Sequence, residues 1–486
     1  MHDADIEIDR HALAILTHLR NRGYEAYFVG GCVRDLLLGK RPKDWDIATS
    51  AVPEEVEALF PHTVPVGKAF GVVLVVENGR NCEVATFRTE CGYRDGRRPD
   101  AVEFASAVED VKRRDFTINA LLYDPVQEEV LDFVGGRRDL ENQVIRTVGD
   151  PAARFQEDHL RLLRAVRFAG RTGFVIEQDT AEAMRRMAAL VQTVSGERTG
   201  QELTIILTEG YAAYGIQLMR DTELLPHLLP EIAAMDGVPQ PPRFHPEGDV
   251  YQHTLLMLGG LDETIQKNLA DKHDTAPCNK SIAGQPGFAE DDGAVWRLQL
   301  PTPESREMLA WAVLLHDVGK PETLTHADRI RFNCHDRLGS KMTVGILQRL
   351  RRPKRVIDAA TELVGGHMKF AALKKMRTAK RRRLLQNPLF PLHLELHRLD
   401  CVGSHGNLSL FEYALQEWLQ EQAAPPPPEP IVSGRDLIAC GYQPGPRMGQ
   451  ILRAVEDARL EGQVSSKDDA LAWVEERFPE KGRTVD

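Results

Sequence analysis

The periodicity of the chain changes near Asp150, and that change constrains the fold more than any single residue does. Before it lie short β-rich runs at 27–29, 72–76, 83–87, 121–123 and 129–133, the last two separated by Asp124-Pro125 turn chemistry. The first run enters Gly30-Gly31, and 33–38 reads as the helix that follows. After Asp150 the period becomes helical: Leu162, Ala165, Val166 and Ala169 fall at i, i+3, i+4 and i+7, a single apolar stripe. Helical patterning continues to Met235.

With 486 residues the chain exceeds the size at which one core stops growing, so several domains are expected. A Pro-rich stretch at 238–243 marks one boundary, and His-rich helical sequence occupies 244–410. Within it, 265–300 is polar and rich in Gly and Asp, the signature of a surface insertion. Four consecutive prolines make 423–430 a semi-rigid linker. A small terminal module, 431–486, is punctuated by Gly434, Gly441, Gly445 and Gly449.

Bulk properties exclude several classes. Mean hydropathy is −0.33, and no apolar run approaches the ~20 residues of a membrane span. Asp3, Asp5, Glu7 and Asp9 give the N-terminus the wrong charge for a secretory signal. Seven cysteines are scattered without a C-x-x-C pair, which argues against a disulfide frame and predicts a cytoplasmic protein. The net charge of −11 describes the whole chain, whereas phosphate contacts need only local basic surface. Three such surfaces are available: Arg94, Arg97 and Arg98; Arg161, Arg164 and Arg167; and the run 374–383.

Four elements point to phosphate chemistry. Gly30-Gly31-Cys32-Val33-Arg34-Asp35 is a strand–glycine–helix junction, where backbone N–H groups and Arg34 suit a phosphate. Asp44-Trp45-Asp46 follows; on a strand, residues i and i+2 share a face, so both carboxylates converge. Two converging carboxylates call for a cation, which predicts Mg²⁺ bound together with substrate phosphates. Glu83 heads a β-rich run and offers a third carboxylate. The run Arg113-Arg114-Asp115-Phe116-Thr117-Ile118-Asn119-Ala120 brings two arginines for a triphosphate and Asn119 for sugar or phosphate. Arg114, Asp115 and Asn119 are its nucleotide-side candidates. Singly, these elements have bland readings as turns, strand edges and helix starts; their order gives them weight.

In that order GGCVRDLLLG, KDWDIAT, YRDGRRPDAVEF, RRDFTINAL and EDHLRLLRAVRFA resemble the class II CCA-adding enzymes and bacterial poly(A) polymerases, over residues 25–235. The resemblance implies an α+β chain: a polymerase-β-like nucleotidyltransferase head with a mixed sheet (1–150), then an all-α neck and body (151–237). It also implies tRNA, CTP and ATP as partners, with no membrane.

Asp158 and Arg161, three apart, read as neighbours on one helix face. A carboxylate accepts from an exocyclic amine and a guanidinium donates to a ring nitrogen, the edge that cytosine and adenine share. Guanine and uracil would leave both groups unpaired. In the resembling family this helix selects the base, with Arg164 and Arg167 beside the nucleotide. Poly(A) polymerases typically carry a basic GRRF-like signature, whereas this chain reads Val66-Gly67-Lys68-Ala69-Phe70-Gly71. The stretch 93–104 resembles the loop that lets full CCA enzymes switch from C to A, with Cys91-Gly92 a departure at its start.

A second constellation is His253, His316-Asp317, His335, His367 and Asp400, more ligands than one tetrahedral ion needs. The order H…HD…H…H…D resembles the HD phosphohydrolase superfamily, and implies an all-α domain over 238–422 holding one or two divalent metals (Mg, Mn, Ni or Fe). His245 is a candidate for lining its pocket. The basic run 374–383 has two equal readings, an RNA track or a solvated helix face. The leading expectation is CCA addition with a second phosphohydrolase activity. Its rivals are A-only or poly(A) addition, HD hydrolysis as the main activity, and an RNA-binding protein with inactive sites.

Overall fold

The computed structural model describes residues 8–67, 71–77, 79–93, 99–270, 287–290, 296–300, 302–326, 329–423 and 430–479. Lys68–Phe70, the cluster Arg94, Arg97 and Arg98, most of the expected insertion and nearly all of the proline linker lie outside them. Within the described part, 265–270 continue the helix Val250–Ala270 instead of opening the insertion. The chain divides into two contact-dense units. The first comprises Met1–Val238 with Leu261–Gln266 and Gly345–Pro353, and the second comprises the remainder. Among the described residues no helix is long and apolar enough to cross a membrane.

The first unit is built on a seven-stranded mixed sheet. Its strands are β1 (Ala26–Val29), β2 (Ile47–Thr49), β3 (Thr63–Gly67), β4 (Val72–Glu77), β5 (Arg80–Thr86), β8 (Leu122–Asp124) and β9 (Glu129–Leu131), ordered β3-β4-β5-β2-β1-β8-β9. A separate hairpin pairs β6 (Arg88–Tyr93) with β7 (Pro99–Phe104). Within the described seven-stranded sheet only β2 and β5 pair in parallel, with Ile47 opposite Val84. Alternation along β5 buries Cys82, Val84 and Thr86 and leaves Asn81 and Glu83 exposed. The buried face is covered by α1 (Arg10–Asn21), which turns Ala12, Ile15, Leu16 and Leu19 inward. Asp9 starts that helix by accepting from the N–H groups of His11 and Ala12.

At the end of β1 the chain reverses into α2 (Gly31–Leu37) through Gly30, whose φ of 77° is open to glycine and strained for any side chain. The stripe seen in the sequence becomes the helix Leu160–Thr172, with Leu162, Ala165, Val166 and Ala169 fully buried. Each large apolar side chain buried there contributes roughly 1.5–3 kcal/mol. The helix stops at Gly173, in the left-handed conformation. The second unit is almost wholly helical, with Pro303–Leu315, Lys354–Gly366 and Phe390–Val402 among its long elements. Its terminal module closes around Leu437, Ile451, Val455, Ala470 and Val474.

Candidate functional site

The sheet's exposed face carries three carboxylates. Parallel pairing of β2 with β5 brings Asp46, one residue before Ile47, beside Glu83, one residue before Val84. Asp44 and Asp46 do not lie within a strand, as their spacing suggests, but in the bend that leads into β2. The backbone oxygen of Asp46 already accepts from Val29 N–H at 3.0 Å, so this segment is anchored to β1. The acids nonetheless converge. Burial, then the charges of Glu83 and Asp44, push the Asp46 carboxyl up to about 6, and Arg114 pulls against them. Glu83 and Asp44 are exposed, whereas Asp46 is half-buried.

Cations gather at the glycine turn. A Cβ added to Gly30 would meet Arg114 Nη1 at 3.5 Å, which puts this guanidinium against the turn. Asp110, almost fully buried, holds both Arg113 (2.6 Å) and Arg114 (3.0 Å). Arg34 departs from its expected role as a phosphate clamp. It is 2% exposed, its Nε and Nη2 donate to Asp35, and its Nη1 donates to Asn119 Oδ1 at 2.7 Å. Its guanidinium is spent on fixing Asn119. Asn119 Nδ2 is left buried and without a hydrogen-bond partner, a donor still available to a ligand.

The pair expected to select the base, Asp158 and Arg161, also differs from its expected form. Asp158 is extended (φ −142°, ψ 106°) and breaks the helix Pro151–Glu157 from Leu160–Thr172, so it does not share a helix face with Arg161. Its carboxylate accepts from Leu160 N–H at 3.1 Å and is gripped by Arg198 at 2.7 and 3.2 Å. Arg161 pairs with Glu157 and donates to the carbonyls of Arg154 and Arg113. Arg164 is held by Asp115 at 2.6 Å and Arg167 by Glu202 at 2.9 Å. Burial opposes ionisation of Asp115, but Arg164 overrides it and draws the carboxyl down to about 2. Asp115, expected on the nucleotide side, thus has its carboxylate on Arg164. Asp110, Arg198 and Glu202 were not singled out from sequence. Asp110 alone had a local signal, standing three and four residues before Arg113 and Arg114.

In the second unit the six expected ligands come together as two triads, His253–His316–Asp400 and Asp317–His335–His367. Nδ1 of His316 donates to Val313 O (2.9 Å), that of His335 to Phe332 O (2.8 Å), and that of His367 to Val364 O (2.7 Å). Each Nε2 is therefore bare. Yet Nε2 of His335 and His367 lie 3.1 Å apart, two lone pairs facing each other in a buried site. Nε2 of His253 and His316 is buried without a hydrogen bond, and each faces a carboxylate oxygen, Asp400 at 3.2 Å and Asp317 at 3.1 Å, the arrangement of ligands around a shared cation. A divalent cation satisfies all of these nitrogens, so the donor set fits a metal centre. Asp317 lies 3.1 Å from His316 and 3.5 Å from His335, and its carboxyl is held far below the usual range against the pull of burial. Burial pushes His367 down to about 4, the neutral form that ligates. Lys320, bridging Asp317 and Gln240 at 2.6 Å each, was missed, as was Glu247.

The basic run 374–383 resolves toward packing. Arg381 pairs with Glu417, Arg382 with Glu421 and Arg383 with Asp457, while Lys374 lies over the Tyr413 ring.

The mixed sheet with converging acids beside a glycine turn defines a nucleotidyltransferase head. A sequence model described as "Poly A polymerase head domain" matches residues 26–146. One described as "Probable RNA and SrmB- binding site of polymerase A" matches 173–236, and "tRNA nucleotidyltransferase domain 2 putative" matches 427–474. The CCA-adding enzyme of Bacillus pumilus (strain SAFR-032) is 48% identical over 219 residues, 45% of this chain and 54% of that protein. The chain thus spans about half the length of the curated relatives it matches. A crystal structure of the Bacillus stearothermophilus CCA-adding enzyme in complex with CTP is similar over 97% of both chains, at 30% identity and a TM-score of 0.62. The Thermotoga maritima CCA-adding enzyme complexed with tRNA(CCA) shares the fold at 19% identity and a TM-score of 0.56, over 96% of both chains. The chain belongs to the family of class II CCA-adding enzymes and poly(A) polymerases.

Proposed function

We propose that this protein adds CCA to tRNA 3′ ends, taking CTP and ATP as substrates in a cytoplasmic setting. The observation that carries the reading is the convergence of Asp44 and Asp46, in the bend before β2, with Glu83 of β5, beside Arg114, which lies against the Gly30 turn. Mg²⁺ held by Asp44 and Asp46 would activate the 3′-hydroxyl and stabilise the departing pyrophosphate. Arg114 then balances triphosphate charge, and Asn119 Nδ2 offers its unused donor to sugar or phosphate. Gly30 and Gly31 let the nucleotide approach the backbone. Asp158 and Arg161 read the amine and ring nitrogen of C or A once released from Arg198 and Glu157, with Arg164 and Arg167 set beside them.

The relatives support this reading: a similar structure holds CTP, and a more distant one tRNA. Incubation with tRNA lacking its last three nucleotides, plus each labelled NTP, tests it. Two C and one A per tRNA are expected; long A tails would reassign the protein as a poly(A) polymerase, and A-only addition as an A-adding enzyme.

A second reading concerns the imidazole centre. Bare Nε2 atoms facing one another favour a metal-dependent phosphohydrolase of the HD type acting on phosphate esters at RNA ends. Phosphate release from a 3′-phosphorylated RNA, or opening of a 2′,3′-cyclic phosphate to a phosphomonoester, each abolished by His316→Ala, is the expected outcome.

A further inference from the structure

Three of the four ligand histidines have their Nδ1–H fixed by a carbonyl three residues earlier in the chain: Val313, Phe332 and Val364. His253 has no such carbonyl. It lies within the helix Val250–Ala270, and its own N–H is committed to Asp249 O. Its Nδ1 stands instead 2.8 Å from Glu247 Oε1, with Gly403 O a longer contact at 3.3 Å. The same Oε1 lies 2.8 Å from Nδ1 of His245, whose ring crosses that of His253 at 81°. A carboxylate oxygen only accepts, so both imidazoles must present Nδ1–H to it. The Glu247 side chain is 7% exposed and His253 is fully buried, so water is a poor substitute acceptor.

We propose that Glu247 is a positioning residue of the metal centre: it fixes His253 in the form whose Nε2 is free to ligate, and so sets the affinity of the His253–His316–Asp400 position. The inference rests on the metal-centre reading given above. It follows from a pattern of four imidazoles with the same inward nitrogen, in which one lacks the local device the other three use. Outer carboxylates on ligand histidines typically change metal affinity by about 10–100-fold. The asymmetry predicts that the Asp317–His335–His367 position, fixed by its own carbonyls, is unaffected.

Dialysis against Mn²⁺ alone, followed by elemental analysis and calorimetric titration, tests this. Wild type is expected to take up two ions per chain. Glu247→Ala should weaken one of the two by about 10–100-fold and leave the other at its wild-type affinity. Glu247→Gln, which keeps an accepting oxygen, should restore most of the loss, a rescue that mere packing would not give. Should the alanine variant melt below room temperature, Glu247→Asp, whose shorter arm withdraws the oxygen, takes its place with the same expectation. Two ions at wild-type affinity in the alanine or aspartate variant overturns the proposal, as does an equal loss in the glutamine variant. A wild-type protein that takes up no ion overturns the metal centre itself.

Discussion

In the sheet-bearing unit the acids gather where the bend before β2 meets β5, two of the three exposed, and the nearby cations are already paired with other carboxylates. In the helical unit four imidazoles and two carboxylates are gathered, and all but Asp400 are almost fully buried. The first arrangement suits an ion that arrives with substrate phosphates and keeps part of its water. The second suits an ion held by protein atoms alone. The difference teaches that a site built for a passing ligand shows spare carboxylate, whereas one built for a resident ion shows spare imidazole nitrogen.

The sharpest way to break this comparison is Asp44→Ala. Nucleotide incorporation should fall by about 10³-fold or more, given the several kcal/mol of charge stabilisation a catalytic metal supplies, while Mn²⁺ content stays unchanged. Loss of both, with circular dichroism preserved, would refute two separate centres. Next in size, Asp158→Ala should erode the preference for C and A over U and G by roughly 10–100-fold in competition assays with mixed NTPs. An unchanged preference would remove the base-reading role from this residue. Acidity separates the centres further. Burial and the neighbouring carboxylates push the Asp46 carboxyl up to about 6, so protons compete with Mg²⁺ below that value. Mg²⁺ affinity should then drop about tenfold per unit of pH below 6, and plateau above it. A flat profile between pH 5 and pH 6 would count against the burial and charge crowding at Asp46.

The smallest effect belongs to Arg382→Gln. Its Nε lies 2.9 Å from Glu421, and the side chain is partly exposed, so at most about 1 kcal/mol of stability is at stake. The salt dependence of tRNA binding should not change, because that guanidinium is committed within the protein. A slope reduced by about one unit would restore the RNA-track reading.

Much of the head was legible because its signals are local. Branched runs gave strands β4 and β5, and the spacing of Leu162 to Ala169 gave the buried stripe of the helix that follows. The clustering of four histidines with Asp317 and Asp400 was legible because only a few residue types suit such a centre, and their order along the chain was informative. What escaped was set by partners far away in sequence. Asp158 sits at helical spacing from Arg161, but an extended backbone and the grip of Arg198, forty residues on, decide where its carboxylate goes. The sequence offers Arg34 as a phosphate clamp; its contact with Asn119, 85 residues away, holds it as a buried strut. Glu247 has no helical period to mark it, and its partner atoms are ring nitrogens whose protonation only geometry reveals.

The hold of Arg198 on Asp158 has a consequence for fidelity. In the base-reading role proposed for it, Asp158 is already satisfied by an internal rival, so an incoming base has to outcompete a bidentate guanidinium. Where cytosine and adenine present an amine, uracil and guanine present a carbonyl oxygen, which repels a carboxylate instead of donating to it, and the protein's own arginine takes the carboxylate back. Selectivity then sits in a threshold that every nucleotide must cross, and shortening Arg198 would lower it for right and wrong bases alike.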